Sequence, residues 1–229
     1  MNKNDISAFA IPIRYGMLNV NDLNKKLIED IFLELNNNGN EKRSGVGVYQ
    51  TKSGLEKKYE SFKTLSEKIK YFLLDFMKNV KVYDEFFIKD VWGNINNDPF
   101  AFHMPHSHGI NNSCIFTGVY FPTSGYLDND ISKEYNNSKS PIITSKTQPN
   151  PGDLVLLDPN ENIKTAIATK KTEKYPFFGN PICITPIKNT IVVFPSYLNH
   201  MVTPSKKENY TRISIAYNVS VLWEFYLLL

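Results

Sequence analysis

The hydrophobic positions of this chain change their rhythm partway along it. Leu23, Leu27, Ile28, Ile31, Phe32 and Leu35 recur at three- and four-residue steps, which predicts an amphipathic helix over 22–36. Asn21 or Asp22 can cap its start, and the Asn-Asn-Asn-Gly-Asn run at 36–40 stops it. A second stripe (Leu65, Ile69, Phe72, Leu73, Phe76, Val80) predicts another helix over 61–79. Both read as covers packed on something flat. Ahead of them, residues 9–17 are apolar and include Pro12, which suits an edge strand or an extended lead-in. Residues 41–57 are polar and glycine-containing, so they predict loop with a short strand at 46–49.

After residue 82 the helical stripes give way to short β-type runs at 86–94, 114–121, 153–157, 182–186, 190–194 and 212–221. Pro, Gly and Asn separate them. This texture predicts an all-β sandwich or barrel, and the lack of strand–helix alternation argues against a doubly wound sheet. Two long polar segments, 122–150 and 159–180, break the series. Loops of that length are lids, binding loops or disordered segments; drift in a chain that favours Asn and Lys throughout is the plainer alternative.

Composition narrows the class. The chain has 229 residues, 41% of them hydrophobic, which is enough for one large domain. We expect a single domain over 1–229, with a helical N-terminal part at about 18–80 and a β core at about 82–221. A net charge of +3 with scattered lysines gives no nucleic-acid signal. Two cysteines without C-x-x-C spacing suit a reduced, cytoplasmic setting. The longest apolar run, 219–229, is broken by Glu224 and falls short of the ~20 residues a membrane span needs. A soluble protein is therefore expected, and the apolar tail leaves a homo-oligomer open.

Candidate chemistry concentrates at the histidines. Three of the four, His103, His106 and His108, fall within six residues; His200 lies far downstream. In a strand, His106 and His108 project from one face and can converge on one ion. His200 is the obvious third ligand. Such a face leaves coordination positions open, as non-haem iron chemistry requires. The odd spacing of His103 puts it on the opposite face of an extended segment. The plainer reading is that these are ordinary surface or core histidines. Further on, Arg212, Ser214, Ala216 and Asn218 alternate onto one face of a strand. A guanidinium above small residues offers a fork for a carboxylate. Arg212 is also the only arginine after Arg43 in a lysine-using chain.

The order of these segments resembles a known group. H-x-H precedes T-G-V-Y; G-D-L-V-L-L-D-P, I-V-V-F-P-S-Y-L-N-H and R-I-S-I-A-Y-N follow, and W-G-N (Trp92, Gly93, Asn94) comes before. Over residues 91–219 the chain resembles the 2-oxoglutarate/Fe(II)-dependent oxygenases, in particular a bacterial and phage branch with H-x-H as its first motif. The resemblance implies a mainly β, double-stranded β-helix fold (a jelly roll of the cupin type) buttressed by the N-terminal helices. It implies a dioxygenase of hydroxylase type with Fe(II) and 2-oxoglutarate as cofactors. His106, His108 and His200 would bind the metal. Arg212 and Ser214 would bind 2-oxoglutarate, with Asn94 and Tyr120 as further candidates, although core packing is the alternative for Tyr120.

Three departures stand out. The superfamily's usual second ligand is a carboxylate, and here the place reads His106-Ser107-His108; Asp158, in L-L-D-P-N, is the alternative ligand, or simply a turn residue. Extra residues separate His108 from the T-G-V-Y strand. Asn160 stands where an arginine is expected after Asp-Pro. The substrate, whether a small molecule or a peptide, is not written in the sequence. Two other readings compete: a cupin-like metal enzyme without 2-oxoglutarate, and a non-catalytic jelly-roll binding or structural module.

Overall fold

Residues 11–41, 43–108, 114–124, 141, 143–145, 149–160, 181–204 and 211–222 are described by the computed structural model. Strand β1 (Arg14–Met17) leads into helix α1 (Asn21–Asn38). Strands β2 (Gly45–Val46) and β3 (Tyr49–Gln50) precede helices α2 (Leu55–Lys58) and α3 (Glu60–Asn79). The remaining strands are β4 (Phe86–Asn96), β5 (Phe102–His106), β6 (Cys114–Tyr120), β7 (Ile143–Ser145) and β8 (Leu154–Leu156). They are followed by β9 (Ile182–Ile184), β10 (Thr190–Pro195), β11 (His200–Val202) and β12 (Arg212–Val221). Two antiparallel sheets result, ordered β1-β10-β6-β12-β4-β3 and β2-β5-β11-β8-β9-β7. Among the described residues no helix is long and apolar enough to cross a membrane.

The two long helices cover the outer face of the first sheet. Leu27 and Ile31 of α1 and Phe62, Leu65, Ile69 and Leu73 of α3 are fully buried in one cluster with Val91, Ile215, Tyr217 and Val219. Burying each such side chain stabilises by about 1.5–3 kcal/mol. The approach is close. A Cβ on Gly93 would stand 2.6 Å from Ile31 Cγ1, and one on Gly16 would stand 2.9 Å from the Phe72 ring. Polar contacts hold the helices together. Ser61 Oγ donates to Asp30 at 2.6 Å, and buried Glu34 accepts from Lys58 at 2.5 Å, Tyr59 at 2.8 Å and Asn38 at 3.0 Å. Arg14 of β1 forks onto Asp75 of α3.

The inner faces of the sheets meet over a second, smaller apolar cluster that includes Phe121, Leu154, Leu156, Val192 and Phe194. Polar side chains surround the rest of the gap, a cavity of about 450 Å³. The predicted strand at 46–49 is two separate strands. β2 extends the second sheet beside β5, and β3 extends the first beside β4, so the stretch 45–50 straps one sheet to the other. The periodicity also missed β5, β7 and β11, each three to five residues long, too short to show a period. Most of the polar segments 122–150 and 159–180, the extra residues after His108 and the tail at 223–229 lie outside the described residues.

Candidate active site

Strand β5 ends at His106, which pairs directly with His200 on β11. Between that pair and His103↔Val202, three residue steps on β5 oppose two on β11. This is a β-bulge at Met104-Pro105, and Pro105 suits it because it has no N–H to give the ladder. The bulge reverses the alternation. His103 therefore shares the cavity with His106, and the expectation that it lies on the opposite face is overturned. His108 lies two residues past the strand end, where its N–H donates to Ser196 O at 2.9 Å. It still turns inward. One ring nitrogen each of His106, His108 and His200 lies within 4.8 Å of the others.

The hydrogen bonds determine which nitrogen is left over. His106 Nδ1 is 2.7 Å from Met104 O, and His200 Nδ1 is 3.0 Å from Leu198 O. His108 Nδ1 is 2.9 Å from Asn218 Oδ1 and 2.9 Å from Thr117 Oγ1, whose own hydroxyl donates to Tyr217 O at 3.0 Å. A carbonyl oxygen only accepts, so each Nδ1 must carry the proton. In a neutral ring Nε2 is then a bare lone pair, the form that binds metal. The rings do stay neutral. Burial pushes His200 down to about 3, the neighbouring His106 adding to it, and burial lowers His106 and His108 as well. Three lone pairs set close together on a neutral, half-buried wall could hold a transition metal.

A second wall of the cavity is β12, which brings the charge of Arg212. Arg212, Ser214, Ala216 and Asn218 all face it, as the alternation predicted. Arg212 is 2% exposed; its Nη1 donates to Ser214 Oγ at 3.0 Å, and its guanidinium lies 5.0 Å from the centre of the Phe121 ring. A buried guanidinium aimed into a cavity could receive a carboxylate. Asn94, opposite Ser214 in the ladder, lines the same cavity, and its buried Oδ1 has no hydrogen-bond partner among the described residues.

Two expectations need correcting. Tyr120 does not reach the cavity. Its side chain points to the helix layer, where its hydroxyl donates to Asn24 at 2.6 Å and lies 3.0 Å from Asn189 Oδ1. Strand alternation puts it on the far face, with Phe116. Asp158 is not among the clustered groups; its Oδ1 accepts from Asn160 N at 2.8 Å, the turn role weighed against ligation.

The sequence reading also missed residues. Thr117 and Asn218 orient His108; the alternation that singled out Arg212 had already put Asn218 on its face. Trp92 packs against His108 with ring centres 5.5 Å apart. Ser44, just before the strap, contacts both His103 and His106, and nothing in the sequence marks it. Asp90, at φ +52, sits in a second bulge where β4 pairs with β12, and it lines the cavity.

Comparisons with known proteins agree with this geometry. Residues 90–218 match a family model described as "Putative 2OG-Fe(II) oxygenase". No curated protein matches the chain. Among solved structures, a Pseudomonas putida prolyl-4-hydroxylase aligns at 12% identity with a TM-score of 0.59, over 92% of this chain and 93% of that one. A Trichoplax adhaerens prolyl hydroxylase, in complex with a hypoxia-inducible-factor peptide, aligns at 15% identity and a TM-score of 0.57, over 91% and 83%. The epimerase SnoN, in complex with Fe3+, alpha-ketoglutarate and nogalamycin RO, aligns at 10% and 0.54, over 90% and 78%. At such identities the likeness is one of fold, the double-stranded β-helix. Matched by the family model over more than half its length, the chain belongs to the 2OG-Fe(II) oxygenases and is an oxygenase that works with Fe(II) and 2-oxoglutarate.

Proposed function

We propose that His106, His108 and His200 hold the iron, and that Arg212 and Ser214 hold the far carboxylate of 2-oxoglutarate, in a dioxygenase of hydroxylase type. The observation that supports this most is the convergence of three neutral imidazoles, each with Nδ1–H already committed, in one cavity with a buried arginine. The donor set fits the groups. Three neutral nitrogens leave the full positive charge of Fe(II) uncompensated, and an anionic chelator such as a 2-oxo acid supplies the balance. With both bound, O2 is reduced as 2-oxoglutarate is converted to succinate and CO2, and the substrate is oxidised. This chain's part is to orient. Carbonyl oxygens hold two imidazoles in place, Asn218 and Thr117 hold the third, and Asn94 offers a further polar contact. At the buried guanidinium of Arg212 a carboxylate is attracted more strongly than at an exposed arginine, because less water screens the pair.

We further infer a small-molecule or peptide substrate. The cavity of about 450 Å³ leaves room beside 2-oxoglutarate for a compact molecule or one side chain. The fold relative from Trichoplax acts as a precedent for the peptide case. The two cysteines without C-x-x-C spacing support a cytoplasmic setting.

The test is succinate formation. Protein given Fe(II), 2-oxoglutarate and O2 should release succinate even without substrate, and Arg212→Met should reduce this by at least ~100-fold, the scale of losing a buried charge-assisted pair. Protein that binds Fe(II) but releases no succinate, and whose metal affinity 2-oxoglutarate does not tighten with or without Arg212→Met, would favour the cupin-like alternative.

A further inference from the structure

His103 is not one of the three converging histidines, yet it is placed to serve their site. It is 7% exposed and lines the same cavity as Arg212. Its ring stacks toward His106, with centres 6.3 Å apart and planes 30° apart. Burial, with the Arg212 charge acting next, keeps it neutral, pushed down to about 3. It therefore flanks the path from the three-histidine cluster to the guanidinium. Among the described residues its one hydrogen-bond partner is Ser44, whose Oγ is 3.3 Å from His103 Nδ1 and 3.3 Å from His106 Nε2.

Ser44 has a single proton to share between these rings. His106 Nδ1–H is taken by Met104 O, so His106 Nε2 is an acceptor and Ser44 donates to it. Ser44 Oγ must then accept from His103 Nδ1–H, which leaves His103 Nε2 a lone pair. An ion on His106 Nε2 would displace the serine proton. Ser44 could then donate to His103 Nδ1, and the imidazole would carry its proton on Nε2 instead, as a hydrogen-bond donor facing the cavity.

We propose that His103 is a further 2-oxoglutarate-binding residue, and that Ser44 sets it to donate only when His106 is engaged by metal. This rests on the site assignment above and adds to it: occupancy of the metal site would prepare the cavity wall for the dicarboxylate, beyond any direct chelation.

Calorimetry of 2-oxoglutarate binding to the Fe(II)-loaded protein without O2 tests this, with Fe(II) affinity measured in parallel. His103→Phe should weaken 2-oxoglutarate by ~10-fold or more, the scale of one hydrogen bond to a charged group, with Fe(II) affinity unchanged. His103→Gln, which retains an N–H donor, should recover part of that loss and guards against a folding defect. Ser44→Ala should weaken 2-oxoglutarate while leaving Fe(II) affinity equal or tighter, because a competitor for His106 Nε2 is gone. Equal 2-oxoglutarate binding in His103→Phe and wild type would overturn the proposal. So would a parallel loss of Fe(II), which would place His103 in the metal centre. If the wild-type protein takes up Fe(II) but no 2-oxoglutarate, the functional reading falls and this one with it; wild type that binds and is weakened by Arg212→Met, beside an unaffected His103→Phe, overturns the His103 role alone.

Discussion

His106 and His200 are direct partners across the β5–β11 ladder, with ring centres 4.3 Å apart. A carbonyl two residues back orients each ring, Met104 O for His106 and Leu198 O for His200, but local sequence does not bring the two together. Each is carried by a short strand, and the register between those strands brings them together. A slip of one residue would turn the two side chains to opposite faces.

Removing one member of this pair should empty the metal site without unfolding the protein. His200→Ala is expected to lower Fe(II) bound per chain from near one to near zero in equilibrium dialysis. The neutral ring leaves no stranded charge, so the stability loss should be about 1–3 kcal/mol, read from urea unfolding of metal-free protein. Unchanged Fe(II) stoichiometry would rule His200 out as a ligand.

Asn218 should matter for metal affinity rather than for folding. Its Oδ1 accepts from His108 Nδ1. Asn218→Leu keeps the volume and loses the acceptor, and it is expected to weaken Fe(II) ~10–100-fold, the usual effect of removing a partner that orients a ligand. Asn218→Asp keeps an acceptor oxygen and should retain most of the affinity. Equal affinities in all three proteins would mean that Thr117 alone orients the ring.

Helix α1 rests on the sheet where Gly93 lacks a side chain. Gly93→Ala should destabilise by about 1–3 kcal/mol through overpacking against Ile31. Combined with Ile31→Ala, the loss should be smaller than the sum of the two single losses, because the second change removes the atoms that collide. Strict additivity in denaturant titrations would mean that the helix simply shifts away.

Glu34 should make stability fall in acid. Burial raises its pKa, but the hydrogen bonds from Lys58 and Tyr59 outweigh that, and the net shift is downward from the ordinary value of 4.5. A carboxylate with a depressed folded-state pKa stabilises fully above its unfolded value, and the contribution is lost as pH falls below about 4.5 through the folded value. Glu34→Gln should therefore cost about 2 kcal/mol at pH 7, the scale of a hydrogen bond to a charged group, and less as the pH drops. A loss that is the same at pH 7 and at pH 3 would contradict this assignment.

The helices were legible because a dozen or more residues repeat one spacing; α1 and α3 formed within a residue or two of the stripes that predicted them. The long β12 was legible for the same reason, and its alternation correctly put Arg212, Ser214 and Asn218 on the cavity side. The failures come from short elements and long-range pairing. Local spacing puts His103 on the wrong face because a bulge adds one residue, which no local spacing reveals. Tyr120 shows the reverse limit. Alternation pairs it with Phe116, as the structure does, but which face looks into the cavity depends on where the helices dock. Ser44 reaches the histidines through a two-residue strand whose partner lies far along the chain.

The strap at 45–50 has a consequence for solubility. With β2 on one sheet and β3 on the other, it covers the open sides of β5 and β4 together, and each covering strand is only two residues long. Exposed backbone along a long strand is a template on which another chain can add itself; a two-residue strand offers almost none. A variant that frees this stretch would uncover β4, eleven residues long, along with β5. Its first symptom would be self-association rather than lost chemistry.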